Sequence, residues 1–264
     1  MLVLILAVAS LPATVFAEAN PNTGWLDRSR LAKGAVGILY EVKKGSLTKV
    51  RVKKAAEAYT YTLNPNGGTE AQWFPLQMGD GTYEIAVLEQ VTGNKYRVAA
   101  SGTVQVKVAN APDVYLNAVQ NVDWMHADKA VAKAEALTRG SKTDKQKAAA
   151  IYQYVVSNIR YDNELAKKVK SEYVPDIDDT MLKGKGICYG YAALFAAMLR
   201  SQGIPAKLLM GTTTEVSEYH AWNEIYIDGK WIVVDTTVDA AVKQAGKKTV
   251  MEKKAANYEA DRIY

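Results

Sequence analysis

From about Gly34 to Ala109 the chain alternates apolar and polar residues in six short runs: 36–42, 47–52, 59–63, 83–88, 96–100 and 104–108. Turn-forming clusters separate several of them, Asn64-Pro65-Asn66-Gly67-Gly68, Gly79-Asp80-Gly81 and Thr92-Gly93-Asn94. A period of two buries one face of a strand and wets the other, as in Tyr83-Glu84-Ile85-Ala86-Val87 and Val104-Gln105-Val106-Lys107-Val108. Short strands at this spacing predict a small antiparallel β-sandwich over 34–110. Its tyrosines read as packing residues at a sheet surface, with carbohydrate contact as the alternative.

Ala111-Pro112 marks the expected boundary, after which the period becomes helical. Thr143-Asp144-Lys145-Gln146 has the pattern of a capping box, in which Gln146 reaches back to the cap. The helix it opens sets Ala148, Ile151, Tyr152, Val155 and Ile159 on one face. A polar, loop-like stretch from 163 to 185 leads to a second helix after Cys188, with Ala192, Phe195, Met198 and Leu199 on one side. That helix stops at Gly203, two residues before Pro205. Residues 206–210 then read as a buried strand, and the Lys-rich tail 242–264 carries no assignable pattern.

Two runs, 219–227 and 230–236, flank Asp228-Gly229, a preferred two-residue hairpin turn. If that turn sets the register, Ile227 faces Lys230 and Trp222 faces Asp235. His220, Trp222 and Asp235 then share one face, with His220 and Asp235 as diagonal neighbours about 7–8 Å apart at the backbone. A hydrogen bond spans that distance, fixes the imidazole tautomer and leaves the other ring nitrogen free.

Composition narrows the reading further. The 264 residues include a single cysteine, Cys188, so no internal disulfide can form and the thiol is either a small buried hydrophobe or a reactive group. Residues 1–17 carry no charged side chain and end in Val15-Phe16-Ala17, which predicts a secretory signal over 1–17, a leader over 18–33 and an exported mature chain. Membrane association is expected only through that signal. The formal charge of +5 is spread as lysine pairs such as Lys43-Lys44 and Lys167-Lys168. Such a scatter suits solvated surface, with weak attraction to anionic cell-wall polymers, and argues against a nucleic-acid interface. One cysteine and two histidines, His126 and His220, are too few for a structural zinc site, so neither metal nor cofactor is expected. His126 reads as a surface or interface residue. The oligomeric state stays open.

Cys188 follows Gly184-Lys185-Gly186-Ile187 at a helix start, where a thiol meets the positive end of the helix dipole. Gly184, Gly186 and Gly190 are expected to let the chain turn sharply and a substrate backbone come close. The Cys188 backbone N–H, unpaired in the first turn, is a candidate oxyanion donor.

At Gly186-Ile187-Cys188, Tyr191-Ala192, Gly203-Ile204-Pro205-Ala206, His220-Ala221-Trp222-Asn223-Glu224, Gly229-Lys230-Trp231 and Val234-Asp235-Thr236 the chain resembles the transglutaminase-like superfamily, which shares the papain-type cysteine-protease core. The resemblance covers about 110 residues. It implies an α+β fold over 111–264, with a nucleophile helix packed on an antiparallel sheet, and an immunoglobulin-like sandwich ahead of it. It implies Cys188 as nucleophile, His220 as general base and acid, and Asp235 as orienting acid. Trp222 and Trp231 would wall the cleft, with Gly186, Tyr189 and Tyr161 along it.

Asp235-Thr236-Thr237 departs from the family's usual Asp-Pro-Thr. Animal transglutaminases place an oxyanion-donating tryptophan well upstream of the cysteine; no tryptophan lies between Trp124 and Cys188, which leaves Gln153 and Tyr161 as substitutes. Their calcium loops have no counterpart here. The function implied is a secreted thiol enzyme acting on amide or peptide bonds of protein substrates through a thioester. The alternative is a non-catalytic cell-surface or wall-binding module with a relic triad.

Overall fold

A computed structural model describes residues 24–43, 45–65 and 70–264. The expected signal segment, 1–17, lies outside the described residues. The first seven strands are β1 (Leu26–Asp27), β2 (Ala35–Ile38), β3 (Thr48–Lys54), β4 (Glu57–Thr62), β5 (Gln72–Pro75), β6 (Gly81–Thr92) and β7 (Lys95–Val106). They form two antiparallel sheets, ordered β1-β2-β5 and β4-β3-β6-β7. Val36 and Phe74 from the first sheet join Val50, Tyr61 and Ile85 from the second in one core.

Three sequence expectations need correction here. Leu26 pairs with Ile38, so the expected leader supplies an edge strand and the sheet begins ahead of Gly34. The runs 96–100 and 104–108 are one continuous strand, because β6 pairs with both through a register shift at Val87/Leu88. β5 has only four residues and ends on a proline, which an edge strand tolerates but an alternation pattern cannot reveal.

The second half contains α1 (Asp128–Thr138), α2 (Asp144–Asn158), β8 (Arg160–Tyr161), α3 (Asn163–Ala166), α4 (Ile177–Lys183), β9 (Lys185–Gly186), α5 (Cys188–Ser201), β10 (Ala206–Thr213), β11 (His220–Ile227), β12 (Lys230–Val234), α6 (Thr236–Gln244) and β13 (Tyr258–Ile263). Thr143 caps α2 by accepting from the Gln146 N–H, but the Gln146 side chain accepts from Lys142 N at 2.7 Å instead of from the cap. The stretch expected as loop between 163 and 185 holds α3 and α4, capped by Asp162 and Asp176. Helices of four and seven residues are too short to display a periodic apolar face.

Helix α5, which begins at Cys188, is the centre of this half. Every residue from Gly190 to Arg200 is buried, not only one side, because α1, α2 and α4 cover the helix where the sheet does not. The sheet, ordered β12-β11-β10-β13, packs on it through Ala221, Ile225 and Val234. Asn223 Nδ2 ties the two layers, donating to Ala192 O on α5 at 3.0 Å and Lys207 O on β10 at 2.9 Å. Buried Arg200, pushed down to about 9 by burial, donates to the carbonyls of Ala206, Asn117 and Tyr264.

The tail without an evident pattern becomes the sheet's edge strand, β13. Gly211 makes that possible: a Cβ there would sit 2.0 Å from Glu259 O, so only glycine lets β13 close onto β10. The tail is held a second time by Lys253, whose N–H donates to Val233 O at 2.8 Å and whose ammonium pairs with buried Asp239 of α6. Asp239 also accepts from Tyr152 on α2 at 2.8 Å.

Candidate active site

Asp228 (φ 52°) and Gly229 (φ 78°) both adopt left-handed backbone, the requirement of the tight turn read from the sequence. The register follows as expected, from Ile227↔Lys230 to Asn223↔Val234. Pairing ends there because Asp235 leaves the strand to cap α6. Its Oδ1 accepts from Thr237 N at 3.1 Å and Val238 N at 3.0 Å. Its Oδ2 lies 2.9 Å from His220 Nε2. The cap and the imidazole contact therefore use different oxygens of one carboxylate, so the turn of α6 orients the acid toward the ring.

His220 opens β11 and is 4% exposed; Asp235 is fully buried. With Nε2 committed to Asp235, the ring's other nitrogen is left free by that bond, and Cys188 lines the same cleft as the ring. Burial by itself lowers the His220 pKa, but hydrogen bonds to Asp235 and Cys188 and the charges on both outweigh it and raise the group to about 9. At neutral pH the ring is an imidazolium, donating to the carboxylate and facing the sulfur.

A histidine in an unfolded chain releases its proton near pH ~6.5. The folded value is higher, so this stabilisation is complete below about 6.5 and drains away as pH rises through about 9. His126, raised by Asp123 and then Glu70, acts with the same sign. Urea unfolding across this window is expected to show stability falling with pH, and His220→Gln to flatten the curve more than His126→Gln does.

Cys188 is the first residue of α5, half-buried, with no side chain capping the helix. Its N–H therefore lacks an intrahelical acceptor. Cys188 and His220 line a cleft of about 440 Å³ whose walls include Tyr161, Tyr219, Val238 and Gln244. Tyr161, 42% exposed, is among the residues lining this cleft. Gln153 is spent on Lys243, from which it accepts at 3.1 Å, and does not reach the cleft.

Four other expected cleft residues lie elsewhere. Trp222 is 2% exposed and stacks beneath His220, rings 6.4 Å apart and 17° from parallel. Trp231 sits near the hairpin tip against Tyr115 and Tyr226, with the Lys207 ammonium 4.0 Å over its ring. Tyr189 turns away to accept from Asn121 at 2.8 Å, since one residue along a helix rotates a side chain about 100° from its neighbour. Gly186 is buried; a Cβ on it would meet Thr180 Cγ2 at 3.0 Å, so its role is to let α4 pack against the start of α5. Gly190 faces the same threonine, and of the three glycines only Gly184 (φ 59°) needs left-handed backbone.

Residues 131–236 match the family model of the transglutaminase-like superfamily, and this segment is of mixed α and β structure. The mouse and human kyphoscoliosis peptidases are each 30% identical to this chain over 112 residues, 38% of its length but 17% of theirs. Among solved structures, the periplasmic domain of TgpA from Pseudomonas aeruginosa is similar with a TM-score of 0.42 and 16% identity, covering 76% of this chain and 91% of that one.

Proposed function

We propose that this protein is an exported thiol enzyme that acts on amide or peptide bonds of protein substrates. The observation that carries the proposal is His220, bonded to Asp235, lining one open cleft together with Cys188. The sulfur attacks the substrate carbonyl carbon, and the Cys188 N–H is placed to hold the resulting oxyanion. The intermediate collapses as the C–N bond breaks, with the imidazolium giving its proton to the departing nitrogen. A thioester remains. Neutral His220 then takes a proton from the second nucleophile, which attacks the thioester and returns the sulfur. Water completes a hydrolysis, and a primary amine completes a transfer. Asp235 holds the ring in one orientation and offsets its charge throughout.

Export is supported by the uncharged, apolar run at 1–17. The N-terminal pair of sheets serves, in this reading, as an immunoglobulin-like accessory domain for a substrate at the cell surface. A cell-surface extract incubated with the protein and a tagged primary amine, then analysed by mass spectrometry, tests the proposal. Tag on acceptor side chains marks a transferase and new peptide termini mark a peptidase. Neither product, in the wild type as in Cys188→Ala, returns the chain to the non-catalytic wall-binding alternative.

A further inference from the structure

The buried carboxylate of Asp235 has a fourth donor that no pattern in the sequence indicated. Tyr258, the first residue of β13, donates its hydroxyl to Asp235 Oδ2 at 3.2 Å, the same oxygen that faces His220 Nε2. The carboxylate is thereby saturated: two backbone N–H groups on one oxygen, imidazole and phenol on the other. The Tyr258 ring also packs on Trp222, centroids 5.2 Å apart, and Trp222 in turn backs the His220 ring. Tyr258 thus touches the His–Asp pair by its polar end and supports it by its ring face.

Neither contact is incidental to the fold. Tyr258 arrives on a strand that can dock only because residue 211 is glycine, and it pairs there with Thr213. Burial first, then the charge of Asp235, push the Tyr258 hydroxyl far above the ordinary tyrosine range, so it remains a donor at every working pH. Because the α6 cap already fixes the carboxylate's orientation, what the hydroxyl adds is a share of the negative charge on Oδ2. That share is drawn from the bond to the imidazolium.

We propose that Tyr258 is a positioning and tuning residue of this site, acting through Asp235 and Trp222 to set how tightly His220 holds its proton. The proposal deepens the thiol-enzyme reading and rests on it for its functional meaning. The groups that face His220 are Cys188 on α5, Asp235 before α6, Tyr258 on β13 and, around the cleft, Tyr161, Glu218 and Tyr219. None of these except Tyr258 is altered by Tyr258→Phe, which keeps the ring and removes the donor.

The test is a pH titration of the two histidine imidazoles by NMR in wild type and Tyr258→Phe, with exposed His126 as internal reference. The His220 midpoint is expected to move upward by about half a pH unit from about 9, with His126 unmoved. In parallel, the alkaline limb of any turnover should shift by the same amount. A His220 midpoint that stays in place or falls overturns the role assigned to Tyr258. This readout does not need catalysis. An unreactive wild-type thiol would sink the enzyme reading with the titration result intact, and an unmoved midpoint beside a reactive thiol would sink only the tyrosine.

Discussion

Cys188→Ala is expected to remove all turnover, a loss on the order of 10⁵-fold or to the assay background, without unfolding the protein. In the proposed mechanism Cys188 and His220 act as a unit, so deleting the sulfur removes the covalent route entirely. Alanine keeps the Cβ at the first position of α5. The side chain lost is half-exposed, so the stability change should stay within about 1 kcal/mol. The change has a second signature. Cys188 is one of the groups that raise His220, so in its absence the imidazole should titrate below about 9. Product formation is checked by mass spectrometry and the titration by NMR on the same sample.

Asp235→Ala is expected to damage both chemistry and fold. The carboxylate is fully buried, caps α6 and neutralises an imidazolium that is itself 4% exposed. Removing one member of a buried charge pair costs about 3–5 kcal/mol, and the lost cap adds about 1 kcal/mol. Turnover should fall by about 10³- to 10⁴-fold, because the ring loses the partner that fixes its orientation. Asp235→Asn separates the two effects. Asparagine still caps a helix, so this variant should keep the roughly 1 kcal/mol of the cap and lose only the charge-pair contribution, while activity should fall nearly as far as in Asp235→Ala. Comparable activity in wild type and Asp235→Asn would remove the acid from the mechanism.

The hairpin was legible because its turn leaves the register little freedom. Asp228-Gly229 demands left-handed backbone at both positions, and from that turn the strand pairs can be counted to Asn223 and Val234. The count also placed His220 and Asp235 within reach of one another. It could not foresee that Asp235 would leave the strand, since helix capping and strand pairing both accept an aspartate there. Cys188 was legible for a similar reason: glycines before it and an unbroken apolar helix after it define a helix start.

What the sequence concealed was contact made across long separations. β13 reaches β10 from about 50 residues away, with Glu259, Asp261 and Arg262 exposed, so its pattern resembles a solvated tail. Nothing local marks Tyr258 as a neighbour of Asp235. Trp222 and Trp231 show the converse error. Alternation correctly put Trp222 on the face of His220, but that face is roofed by Tyr258 and Val233, and the indole became a floor instead of a cleft wall.

The central claim is that His220 makes the Cys188 sulfur reactive, and the rate of iodoacetamide alkylation at pH 6 in wild type and His220→Ala tests it most directly. If His220 activates the sulfur as proposed, wild type is expected to react at least about 30-fold faster than the variant. Equal rates in the two proteins would contradict the account.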